Sequence, residues 1–216
     1  MKKILAIILL VLISTNLYAL TKDEENFLQA SQNGDLKTIR KLLNAGIGIN
    51  MQHERGWTAL MLASYNDYTE IVKELIRAGA DVNIQDKDGY TALIQASING
   101  NTEIVKELIG ARADVNIKNV YGYTALMWAS IHGYTEVVKT LIKAGAILNI
   151  QGVWGYTALI FASEHGKTET VRELINAGAN INIQDEKGKT ALDYAQANGH
   201  NEIMELLVKK GKEGKK

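Results

Sequence analysis

The chain has 216 residues, of which 24 are basic and 24 acidic, so its formal net charge of zero gives no indication of a nucleic-acid partner. It contains neither cysteine nor proline, which excludes disulfides, thiolate metal sites, cysteine nucleophiles and lipid attachment through an N-terminal cysteine. Turns must therefore be made by Gly, Asn, Asp and Ser.

The pattern of residues 1–19 is typical of a secretory signal peptide. Two lysines open the segment, an unbroken apolar run of ten residues covers 4–13, and a cleavage site follows at Ala19. The alternative is a membrane anchor, but this run ends in polar residues and is shorter than the ~20 residues that a spanning helix needs. We therefore expect cleavage, no stable membrane anchor and an exported protein, periplasmic or secreted.

The body of the chain repeats with a period of 33 residues. The pentapeptide GYTAL begins at Gly89, Gly122 and Gly155, and the variants GWTAL and GKTAL begin at Gly56 and Gly188. A fixed period of this size predicts a stacked array with one supersecondary unit per repeat. The predicted units are 21–50, 51–83, 84–116, 117–149, 150–182 and 183–211, followed by a basic tail at 212–216.

Each unit is predicted to hold two short helices, as the unit 84–116 illustrates. Thr91 is expected to cap the first helix with its hydroxyl, and Gly100 is expected to end that helix by taking a positive φ. Thr102 is expected to cap the second helix, whose apolar residues recur at helical spacing. Residues 111–123, ARADVNIKNVYGY, predict a hairpin-like turn region. Neither helix is long enough to be stable alone, so neighbouring units must stack.

This unit resembles the ankyrin repeat family. The pattern Gly-X-Thr-X-Leu, the pair of small residues in the first helix, the glycine before the second helix and AGADVN at 78–83 stand at that family's spacing. The resemblance covers residues 21–211 and implies an all-α solenoid of about six stacked helix-turn-helix units with β-hairpin-like connections. It also implies a protein partner, bound through hairpin tips and the concave surface of the first helices.

The sequence departs from the family pattern in ways that affect packing. Alanine follows the threonine where the family has proline. The family's histidine after this segment, which makes a polar network between repeats, is replaced by Met61, Ile94, Met127, Ile160 and Asp193. We therefore expect apolar packing in its place. The polar residues of the first and last units predict that these units cap the array.

Nothing in the sequence favours catalysis or a bound metal. Of the four histidines, only His132 and His165 share a repeat position, and two residues one layer apart do not converge on one ion. Ser64, Ser97, Ser130 and Ser163 share one repeat position, which favours packing over catalysis, and no phosphate-binding or nucleophile motif is present. We predict a monomeric binding protein without enzymatic activity, cofactor or metal. The alternative is an enzyme or enzyme accessory in the same compartment, for example in oxidative defence.

Aromatic residues mark the predicted partner site on the central units. The residues of this site are Trp57, Tyr90, Tyr121, Tyr123, His132, Trp154, Tyr156 and His165. Four of them follow the repeated glycine, where packing within the array and a role in binding are both open. Tyr121 and Trp154 precede it, where other units carry charged residues, so the array does not need a ring there. They are expected at adjacent tips near His132 and His165, and such exposed rings dominate binding hot spots.

Some positions predict effects on stability. Arg112 and Asp67 stand where other units have a glycine after a helix, so both are expected in the left-handed region, at a cost of about 1 kcal/mol for Arg112. Leu126 and Leu141 are predicted to lie in the central core.

Overall fold

The computed structural model describes residues 20–213, so the predicted signal peptide and residues 214–216 lie outside the described part. This part folds into six pairs of α-helices. They are α1 (Lys22–Asn33), α2 (Leu36–Asn44), α3 (Ala59–Tyr65), α4 (Thr69–Arg77), α5 (Ala92–Ile98), α6 (Thr102–Gly110), α7 (Ala125–His132), α8 (Thr135–Lys143), α9 (Ala158–Glu164), α10 (Thr168–Asn176), α11 (Ala191–Ala197) and α12 (Asn201–Glu213). The odd-numbered helices are called first helices below, and the even-numbered ones second helices. The predicted all-α solenoid is confirmed.

The connections between units differ from the hairpins that the sequence suggested. Residues 20–213 contain no strand. The connections are tight turns, and in the third unit the N–H of Asp86 donates to the carbonyl of Tyr90 at 2.9 Å while the N–H of Gly89 donates to the carbonyl of Asp86 at 3.0 Å. One turn of 3₁₀ helix, Val153–Gly155, precedes α9. At the other end of the array, α12 continues through the boundary predicted at 211 and includes two residues of the predicted tail.

Local capping explains where the helices begin. Thr91 accepts a hydrogen bond from the N–H of Ile94 at 3.2 Å, and Gly100 follows α5 with φ of 75°, as predicted. The prediction that Thr102 caps α6 is wrong. The cap is Asn101, whose Oδ1 accepts from the N–H of Ile104 at 3.2 Å. Thr102 is already the first residue of the helix, so the capping position belongs to Asn101, whose backbone is not helical.

The core lies between the stacked units. Each first helix packs on the first helices of its neighbours, and the second helices do the same. Met61, Ile94, Met127 and Ile160 are each 1% exposed, so apolar packing does replace the missing histidine. Leu126 and Leu141 are buried as predicted. The second helices also carry ion pairs between units, such as Lys73 to Glu103 at 2.7 Å, which contribute little to stability because solvent screens exposed charges.

The prediction that Arg112 and Asp67 take the left-handed backbone conformation is confirmed. Arg112 has φ of 68° and Asp67 has φ of 65°. Among the described residues, Trp154 is the third non-glycine residue with a left-handed backbone, with φ of 63°. Within residues 20–213, none of the helices combines the length and apolar character that crossing a membrane requires.

Candidate functional site

In three of the turns between units, one side chain accepts hydrogen bonds from two backbone N–H groups. In the third unit, Asp86 Oδ1 accepts hydrogen bonds from the N–H groups of Asp88 and Tyr90, at 3.0 and 2.7 Å. Asn119 accepts from Tyr121 and Tyr123 in the same way, at 3.0 and 2.9 Å. These bonds fix the residue before the repeated glycine at the tip of the turn, pointing away from the helices' core.

A ladder of backbone hydrogen bonds joins successive tips. The N–H of Val120 donates to the carbonyl of Asp88 at 2.9 Å, and the N–H of Val153 donates to the carbonyl of Tyr121 at 2.8 Å. The N–H of Glu186 continues the ladder to the carbonyl of Trp154 at 3.0 Å. The tips of neighbouring units are therefore held side by side at a fixed spacing.

Two of these adjacent tips are apolar. Val120 and Tyr121 are 60% and 50% exposed, and Val153 and Trp154 are 37% and 60% exposed. We call these four side chains the tip patch. The corresponding positions of the other units carry charged pairs, which are Glu54 with Arg55, Lys87 with Asp88, and Glu186 with Lys187. The tip patch is thus a local departure from the repeat, confined to the fourth and fifth units.

The turn that carries Trp154 is also built differently. Gly152 stands where Asp86 and Asn119 stand in their units, so no side chain at this position can accept the backbone N–H groups of the turn. A Cβ at Gly152 would lie 2.4 Å from a ring carbon of Tyr123, which shows that the ring occupies the place of the missing side chain. Trp154 takes the left-handed conformation here, at a cost of about 1–2 kcal/mol.

The rings that follow the repeated glycine are partly buried and pack on first helices. Tyr123 lies 5.8 Å from Trp128 of its own unit and 5.2 Å from Phe161 of the next, both edge to face. Tyr90 lies 6.2 Å from Trp128, and Tyr156 lies 4.9 Å from Phe161. These tyrosines therefore contribute to packing between units as well as to the floor beside the tip patch, where Tyr121 lies 6.3 Å from Tyr123.

Sequence reasoning missed the helical rings in this floor. Trp128, Phe161 and Tyr194 all stand four residues after the capping threonine, where the second and third units have Leu62 and Gln95. Comparing that position across units could have revealed them. Their rings alternate in space with the tyrosines and extend the packing into the last unit.

The aromatic packing ends in a hydrogen-bonded chain in the last unit. The hydroxyl of Tyr156 donates to that of Tyr194 at 2.6 Å, and Tyr194 donates to Asp185 Oδ2 at 2.5 Å. Burial raises the pKa of Tyr194, so the phenol stays protonated and remains a donor. This chain fixes the position of Tyr156 against the last unit.

Trp57 does not belong to the central cluster. Its ring packs on Tyr65 at 5.5 Å and on His53 at 6.3 Å, both in its own unit. The structure thus separates this predicted site residue from the tip patch.

The two predicted histidines lie at the far end of the first helices from the tip patch, not beside it. His132 is the last residue of α7, where its ring stacks on Trp128 at 6.4 Å and lies 5.6 Å from Tyr134. His165 Nδ1 lies 3.0 Å from the carbonyl oxygen of Phe161. Burial, followed by the charges of Lys167 and His165, lowers the pKa of His132. Within residues 20–213, no group of three or more His, Asp or Glu side chains could hold a metal ion.

Comparison with known families supports the architecture. The family model described as ankyrin repeats (3 copies) matches residues 27–119, 60–152 and 145–216. A comparison with curated proteins gave no match.

Proposed function

Because this chain belongs to the ankyrin repeat family, we propose that it is a non-enzymatic protein-binding module whose protein partner docks on the tip patch and the adjoining first helices. Ankyrin repeats generally mediate interactions between proteins. The observation that carries the specific site is the tip patch, an apolar surface on two adjoining turns of an array whose other turns are charged at these positions.

The cost of the tip patch to the free protein supports this assignment. An exposed Trp and Tyr on neighbouring tips gain nothing from the core, and Trp154 also holds a backbone conformation that favours glycine. Local strain and exposed apolar surface are common where a partner is bound. Trp and Tyr in such positions bury a large area on binding and lose little side-chain entropy.

The place of action is also part of the proposal. The pattern of residues 1–19 supports export, so the mature protein would meet its partner in the periplasm or outside the cell. The balanced charge supports a protein rather than a nucleic acid as partner. The proposal takes the array to act as a monomer.

The test is capture of the partner by the purified mature chain, residues 20–216, from an extract of the exported proteins. The variant carrying both Tyr121→Ala and Trp154→Ala should lose the partner while its melting temperature stays nearly unchanged, because both rings are largely exposed. Tyr65→Ala is the matched control, since it removes another exposed ring outside the tip patch. Retention of the partner by the double variant, or unfolding of its array, would show that these rings are scaffold.

A further inference from the structure

A basic cluster lies at the end of the first helices opposite the tip patch. We define it as His132, His165, Lys167 and His200, which contain three of the four histidines of the chain. The side chain of Lys167 covers Gly133, the residue after His132, with its Cδ 2.7 Å from the place where a Cβ would stand. The ring of His200 covers Gly166 in the same way, at 2.8 Å, which brings the cluster together across three units.

The cluster is specific to this part of the array. The positions of His132 and His165 hold Asn66 and Asn99 in the second and third units. One carboxylate faces the cluster, that of Glu164, whose Oε2 lies 4.0 Å from His165 Nδ1. The repeated fold therefore does not require basic residues here.

One strip of surface lies between the tip patch and the basic cluster. The tip patch precedes the start of α7 and α9, and the basic cluster lies at and beyond their ends. A helix of eight residues such as α7 is about 12 Å long at 1.5 Å per residue. Because the two features lie at or beyond its two ends, they are at least about 12 Å apart. Trp128 and the rings around it form the floor between them.

The size and charge of the strip indicate which kind of partner segment binds there. Four side chains on two turns offer only part of the ~800 Å² per partner that a stable dimer buries, which disfavours a second copy of the chain. A short segment of chain fits a strip of this length. Charge complementarity requires that the segment bring carboxylates to the end where Lys167 and the histidines lie.

We propose that the fourth and fifth units bind a segment of the protein partner that places an aromatic or aliphatic side chain on the tip patch and, at least about 12 Å away, one or more carboxylates on the basic cluster. This inference rests on the proposed function and adds the chemistry of the partner. The carboxylates pair with the ammonium group of Lys167 and accept hydrogen bonds from the histidine rings.

A dependence of affinity on pH follows from this arrangement. The groups that face His132 are Lys167, His165 and the phenol of Tyr134, and Glu164 faces His165. Lys167 and His165, in addition to burial, disfavour the protonated form of His132, and a bound carboxylate would favour it. Binding should therefore strengthen as the pH falls from 8 to 6, a range in which Asp and Glu remain ionised.

The experiment is selection of a displayed library of random 12-residue peptides on the immobilised mature chain. Enriched peptides should combine an aromatic or aliphatic residue with Asp or Glu, and should bind more tightly at pH 6 than at pH 8. Lys167→Glu should weaken them about tenfold, the loss expected for one charge-assisted contact. Lys143→Glu is the control, since it reverses an exposed charge at the end of a second helix. The double variant His132→Asn, His165→Asn should reduce the pH dependence, with His200 left in place. Asparagine is compatible with the fold at both positions, since Asn66 and Asn99 stand there in other units.

The outcomes separate this inference from the proposed function. Enrichment of basic or wholly apolar peptides that still require Tyr121 and Trp154 would overturn the acidic segment and leave the tip patch as the binding site. Peptides whose binding is unchanged when Tyr121 and Trp154 are replaced would overturn both the acidic segment and the tip patch as binding site. Failure to enrich any peptide above background would overturn the proposal that the occupant is a short segment.

Discussion

Replacing Arg112 by glycine should stabilise the array. Arg112 has φ of 68°, and the glycines at the same position of other units have φ between 79° and 93°. A Cβ added to any of those glycines would meet nothing within 4 Å, so the cost of a side chain here is the left-handed backbone itself and not a collision. That cost is about 1 kcal/mol, after allowance for the greater freedom of glycine in the unfolded chain.

The expected change is measurable by thermal unfolding of the mature chain. For a chain of this size, 1 kcal/mol corresponds to a rise of about 2–4 °C in melting temperature. The variant Arg112→Ala separates the backbone from the side chain, because it removes the guanidinium group but keeps the Cβ. Its melting temperature should equal that of the natural chain, while Gly145→Ala should lower it by about as much as Arg112→Gly raises it. A melting temperature of Arg112→Gly at or below that of the natural chain, or an equal gain in Arg112→Ala, would refute the reasoning.

Other substitutions test the core, a buried carboxylate and the unusual turn. Leu126→Ala should cost about 2–5 kcal/mol in the free energy of unfolding measured with urea, and a cost below about 0.5 kcal/mol would contradict the stacked core. Burial raises the pKa of Asp86, so the ionised form destabilises the fold, and stability is lost as the pH rises through the pKa of the folded state. Asp86→Asn should therefore be more stable than the natural chain at pH 7, and this advantage should be gone near pH 3. Asparagine can replace the carboxylate because Asn119 makes the same two hydrogen bonds in its own unit. An advantage independent of pH would exclude ionisation of Asp86 as its cause. Gly152→Ala should cost about 1–3 kcal/mol, because its Cβ would lie 2.4 Å from a ring carbon of Tyr123, and an unchanged stability would show that the ring moves freely.

Features repeated in every unit were predictable from the sequence. The period gave six helix pairs, because each unit can bury its apolar face only against a neighbour. The threonine caps and the left-handed position of Arg112 followed from local backbone chemistry at fixed offsets. The exposure of Tyr121 and Trp154 followed from comparing their positions with charged ones in other units, although their role in binding stays a prediction.

Features that arise between units were decided by the tertiary structure. Thr102 was predicted to cap α6 because threonines cap the first helices, but α6 begins at Thr102 and its cap is Asn101. The rings of Tyr123 and Phe161 meet across a unit boundary, 38 residues apart, and no local pattern encodes such a contact.

The candidate site shows the same division. The sequence placed its histidines beside the tip rings, because residues on one face of neighbouring units were treated as one cluster. The length of the first helix separates them, which only the folded chain reveals. Sequence by itself thus determined the repeated backbone, since backbone conformation and burial act within a unit. The tertiary structure decided which side chains of different units share a surface, because that depends on how the stacked layers bring distant residues together.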